Sequence, residues 1–114
     1  MSRLVVSAAA SPLFNNFLMV VSVSDDADGK PVTGLKPPNF KIAHLASLNH
    51  AAALERDVDK VTEGPAGFYI VQLKPWAPQP TLPAGHYVFG VAVSAGPRTA
   101  PRSGQTVARG DIPN

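Results

Sequence analysis

Apolar residues recur at every second position in three stretches of the chain. This period predicts β-strands, because successive side chains of a strand point to opposite faces. The stretches cover residues 16–24, 67–73 and 85–94. The clearest is the last, GHYVFGVAVS, in which large residues alternate with smaller ones. The side chains expected to point into a core are Tyr87, Phe89, Val91 and Val93.

Four weaker segments have a similar composition and are bounded by Gly, Pro, Asn or Asp. They are residues 3–8, 39–44, 58–63 and 105–109. With the three clearer stretches they make about seven strands, the number found in a small β-sandwich. The sequence therefore predicts one all-β domain that fills residues 1–114.

Two segments interrupt the strand pattern. Residues 46–56, ASLNHAAALER, are rich in helix-favouring residues, so either a short helix or an irregular loop fits. Residues 74–82, KPWAPQPTL, contain three prolines, which prevent a regular ladder. We expect this second segment to cross the surface and to lean on the sandwich through Trp76.

Composition and charge narrow the classes of function. Hydrophobic residues make up 45% of the chain and charged residues 16%, which is typical of a globular protein. A net charge of +2 without a basic block gives no support to nucleic-acid binding. The absence of cysteine excludes disulfides, thiolate metal sites and cysteine nucleophiles.

The N-terminal residues, MSRLVVSAAAS, have one arginine and a short apolar part broken by Ser7. We interpret them as a first strand rather than a signal peptide. The longest apolar run, residues 17–21, is far below the roughly 20 residues that cross a bilayer. The expectation is a soluble chain without membrane insertion, with the cytoplasm favoured.

Two sequence fragments resemble parts of bacterial immunoglobulin-like (Ig-like) and transthyretin-like (prealbumin-like) β-sandwich domains. Residues 21–35, VSVSDDADGKPVTGL, are similar to the first hairpin of such modules, and residues 84–93, AGHYVFGVAV, resemble their penultimate strand. With residues 67–69 between them and residues 104–107 as a last strand, the likeness extends over nearly the whole chain. The resemblance implies an Ig-like sandwich that acts as a spacer, adhesion or assembly module without a shared catalytic constellation.

The most acidic segment, residues 24–35, raises the question of a calcium loop. The helix-loop-helix type needs a carboxylate at its first position and Glu at its twelfth. Aligning Asp26 and Asp28 with the pattern puts Ser24 first and Leu35 twelfth. We therefore interpret the segment as a solvent-facing turn at Asp28-Gly29, while a calcium site between sandwich loops stays open as the alternative.

Other candidate chemistry fits known patterns poorly. The spacing of His44, His50 and His86 matches no metal motif. Glu55 and Glu63 are predicted in a loop or on a weak strand, where a glycosidase pair is not expected. The chain has neither a Gly-x-Ser-x-Gly elbow nor a phosphate-binding glycine loop. We therefore expect no enzyme activity, no cofactor and no metal.

The tripeptide Arg109-Gly110-Asp111 is the one that integrins read on exposed loops. It falls at the end of the last predicted strand, and we find no secretion signal, so we interpret it as a chance match. The acidic segment and the C-terminal arginines suggest either a head-to-tail contact between copies or two solvated loops, of which the second is favoured. Trp76, Arg98 and Arg102 are the candidate interaction surface.

The sequence thus predicts a non-catalytic protein–protein interaction or assembly module. Exposed edge strands and low charge density favour self-association or docking onto a protein partner. The alternative is an accessory module that binds carbohydrate or another ligand through Trp76 and nearby aromatic residues, Tyr69 and Tyr87.

Overall fold

A computed structural model describes residues 3–13, 16–47, 54–56, 58–74, 84–96, 99 and 102–113. These residues form eight strands: β1 (Leu4–Leu13), β2 (Asn16–Asp25), β3 (Phe40–Ser47), β4 (Leu54–Arg56), β5 (Val58–Glu63), β6 (Phe68–Leu73), β7 (Gly85–Ala95) and β8 (Arg102–Ile112). One 3-10 turn, Pro37–Asn39, precedes β3. No helix among the described residues is long and apolar enough to cross a membrane.

The strands make two antiparallel sheets. The first sheet has the order β1-β2-β6-β5, and the second has the order β4-β3-β7-β8. The prediction of an all-β sandwich is confirmed. The first and last predicted strands are longer than expected, because β1 pairs with β2 as far as Leu13 and β8 pairs with β7 from Arg102 to Ile112.

One hydrophobic core fills the space between the sheets. The alternation read from the sequence gives the correct inward faces of the central strands: in β7, Tyr87, Phe89, Val91 and Val93 are all buried. Aromatic rings join the sheets, since the ring centroid of Phe17 in β2 lies 5.1 Å from that of Tyr87 and 4.9 Å from that of Phe89. These tilted and edge-on contacts are the arrangements that aromatic pairs prefer.

The two sheets meet directly on one side, along what we call the β1–β8 seam. Leu4 lies beside Gly104 and Ala10 lies beside Gly110, so the two strands run in the same direction. A Cβ atom at Gly104 would collide with the Leu4 carbonyl oxygen, and one at Gly110 would lie 2.6 Å from the Phe17 ring. Small residues therefore allow the close approach, and the alanine-rich N-terminal segment is a strand, as predicted.

On the other side, residues 31–39 pass from the first sheet to the second; we call them the crossing segment. They follow a turn in which the Gly29 N–H donates to the Asp25 carbonyl oxygen at 2.8 Å. The Asn39 side-chain amide then donates to the Ser94 carbonyl oxygen at 2.8 Å, which fixes the end of the segment to β7. Hydrogen bonds hold this segment against both sheets, and its first residue, Pro31, packs closely against Gly67.

The region of the suggested short helix, residues 46–56, is extended wherever it is described. Ala46 and Ser47 end β3, and β4 pairs with β3 through Ala43 opposite Glu55. Strand pairing there outweighs the local helix propensity. Residues 48–53 lie outside the described residues, as does the predicted proline-rich crossover from residue 75 to residue 82.

Candidate interaction surface

Of the three residues expected to form an interaction surface, only Arg102 is described; Trp76 and Arg98 are outside the described residues. Arg102 Nη1 lies 2.5 Å from Asp25 Oδ2. The Asp25 side chain is only 13% exposed, so this ion pair is partly sheltered from water. The acidic segment and a C-terminal arginine therefore meet within one chain, at the end of the β1–β8 seam.

The acidic segment forms a turn, and its carboxylates accept hydrogen bonds from nearby backbone N–H groups. Asp25 Oδ1 accepts from Ala27 at 2.9 Å, and Asp28 Oδ1 accepts from Lys30 at 2.9 Å. Asp26 Oδ1 accepts from the backbone N–H of Arg3 at 2.8 Å, which links the turn to the start of β1. The bonds to Asp25 and Asp28 are typical of Asx turns, and all three bonds give the carboxylates a structural role. In the described part of the chain, no three His, Asp or Glu residues are grouped to hold a metal.

The tripeptide Arg109-Gly110-Asp111 lies within β8 and pairs with β7, so it is not displayed on a loop. Gly110 is buried against Phe17. Asp111 Oδ1 lies 2.8 Å from His86 Nδ1, and both side chains are more than half exposed. Of the other two histidines, His44 is in β3 and His50 is outside the described residues.

Glu63 and Tyr69 hold the crossing segment in place, a role that the sequence did not reveal. Glu63 Oε1 accepts a hydrogen bond from Gly34 N–H and Oε2 accepts one from Gly67 N–H, each at 3.1 Å. These two donors lower the pKa of Glu63. The Tyr69 hydroxyl donates to the carbonyl oxygen of Val32 at 2.6 Å, and burial raises the pKa of Tyr69.

The outward residues described on the strands of the first sheet are almost all uncharged; we call the surface that they form the apolar face. Its outward residues are Val5, Ser7, Ala9 and Ser11 of β1, Leu18, Val20, Ser22 and Ser24 of β2, Phe68, Ile70 and Gln72 of β6, and Lys60 and Thr62 of β5. Lys60 is the one charged member of this set, and it stands on the edge strand. A face of this kind is attractive to another apolar surface and offers little to a charged ligand.

The large side chains of the apolar face form one continuous patch. Val20 lies directly opposite Ile70 across the β2–β6 ladder, and Phe68 is two positions from Ile70 on the same side of β6. Val20 is 47% exposed, Phe68 49% and Ile70 43%. Single exposed apolar residues are common on protein surfaces, but adjacent ones that form a patch are typical of an interface.

The outer surface of the second sheet is different in both shape and charge. A groove of about 500 Å³ runs over Gly90 and Ala92, between Lys41 and Val107. A second open cavity, of about 740 Å³, continues it towards Arg3. The outward titratable side chains described on this sheet are Lys41, His86, Arg109 and Asp111. The two faces of the sandwich therefore present different chemistry.

Comparison of the chain with protein-family models, with curated proteins and with solved structures finds no match. What the chain does must therefore be inferred from its own surfaces.

Proposed function

We propose that the chain is a non-catalytic protein–protein interaction or assembly module, and that the apolar face is its binding surface. The observation that carries this proposal is the continuous patch of Val20, Phe68 and Ile70. Among the described strand residues of that face, the one charge is on Lys60, in the edge strand β5. Burying such side chains contributes about 25 cal/mol per Å² of apolar surface, so a partner that covers them gains free energy.

The strand order supports an Ig-like type of sandwich. When β1 to β8 are read as strands A, B, C, C′, D, E, F and G, the sheets become A-B-E-D and C′-C-F-G. Ig-like domains place A, B, E and D in one sheet and C, F and G in the other, with C′ added in some types. The resemblance of residues 21–35 and 84–93 to bacterial Ig-like modules points the same way.

The apolar face is a better binding surface than the sheet edges, which the sequence had suggested. β1 and β8 cover each other along the seam. β4 is three residues long in the described part of the chain. β5 has an irregularity between Val58 and Lys60, where Asp59 and Lys60 are exposed. Short, bulged and charged edges are the features that discourage strand addition.

The alternative of a carbohydrate-binding module receives less support. Tyr69 and Tyr87 are completely buried, so neither ring can stack on a sugar. Trp76, the third aromatic residue of that hypothesis, is outside the described residues. The carboxylates of Glu63 and Asp28 are engaged by backbone N–H groups, which supports a structural rather than a catalytic role for them.

Photo-crosslinking in the native host tests the proposal. The variant Phe68→p-benzoyl-L-phenylalanine keeps an aromatic ring on the apolar face. The same replacement at Val107, which is 56% exposed on the outer surface of the second sheet, is the matched control. We expect covalent protein adducts from position 68 and none from position 107. Adducts from neither position, or only from position 107, would contradict the proposed surface.

A further inference from the structure

We draw no further inference here: the strongest candidate, the groove over Gly90 and Ala92 on the outer surface of the second sheet, is a run of small residues beside the exposed side chain of Lys41, and nothing in the structure shows what covers it.

Discussion

The two lateral sides of the sandwich are closed by different physical means. Along the β1–β8 seam, glycine and alanine let two backbones pack against each other, and a single added methyl group at Gly104 would meet a carbonyl oxygen. Along the opposite side, Tyr69 and Glu63 hold the crossing segment through hydrogen bonds. A closely packed contact accommodates almost no increase in side-chain size. A substitution on the hydrogen-bonded side instead removes roughly one hydrogen bond. The seam should therefore be the more sensitive of the two sides.

The largest effect is expected from Gly104→Ala. The new Cβ would collide with the Leu4 backbone, which cannot move without shifting β1, so we expect a loss of about 3 kcal/mol in the free energy of unfolding. Urea denaturation measures this loss. Gly64→Ala is the matched control, because a Cβ there has no neighbour within 4 Å and the backbone needs no positive φ. The control should change stability by less than about 1 kcal/mol. Equal effects of the two substitutions would show that the seam is not tightly closed.

A smaller effect is expected from Tyr69→Phe on the opposite side. The substitution keeps the ring but removes the hydroxyl that donates to the Val32 carbonyl oxygen at 2.6 Å. That oxygen would lose its buried donor, which costs about 1–2 kcal/mol. The same denaturation experiment measures the cost. If Tyr69→Phe lowers the free energy of unfolding as much as Gly104→Ala does, the two sides do not differ in their sensitivity to substitution.

The smallest effect is expected from Glu63→Gln, and it should depend on pH. Hydrogen bonds from the backbone N–H groups of Gly34 and Gly67 lower the pKa of Glu63, so the fold favours its charged form. The stabilisation is complete above the unfolded-state pKa of about 4.3 and is lost as the pH falls through the lower folded-state pKa. Thermal melts should show a deficit of the variant at pH 7 that shrinks as the pH falls from about 5 to about 3.

Tyr69→Phe provides a comparison for this pH series. The Tyr69 hydroxyl also hydrogen-bonds to Glu63 and is a lesser cause of its lowered pKa than the two backbone N–H groups. The deficit of Tyr69→Phe should therefore shrink less than the deficit of Glu63→Gln over the same range. A deficit of Glu63→Gln that stays constant with pH would contradict the role assigned to the carboxylate.

The alternation of apolar residues predicted the sandwich because it records which side of each strand is buried. The alternation did not predict that residues 54–56 form a strand, because their pairing with β3 depends on tertiary structure. The small side chain of Ala10 did not by itself predict the seam, because its close neighbour Gly110 is 100 positions away in the sequence.

The candidate surface was harder to predict than the fold. Val20 and Ile70 fall on the second apolar side of their strands, and strands with two apolar sides usually lie buried at the centre of a sheet. Nothing in the linear pattern shows that Val20 and Ile70 are nearly half exposed on one of those sides. The ion pair of Arg102 with Asp25 and the bond from Tyr69 to Val32 join residues 77 and 37 positions apart, so local spacing could not reveal them.

The common direction of β1 and β8 has a mechanical consequence. Leu4 is at one end of the seam and Ile112 is beyond Gly110 at the other, so tension applied between these two residues acts along the strand axes. Each of the two strands is paired with its neighbour along its whole length, β1 with β2 and β8 with β7. Such a load stretches each ladder in shear, so many hydrogen bonds resist together instead of opening one after another. A pull between Leu4 and Ile112 should therefore be resisted by both ladders at once.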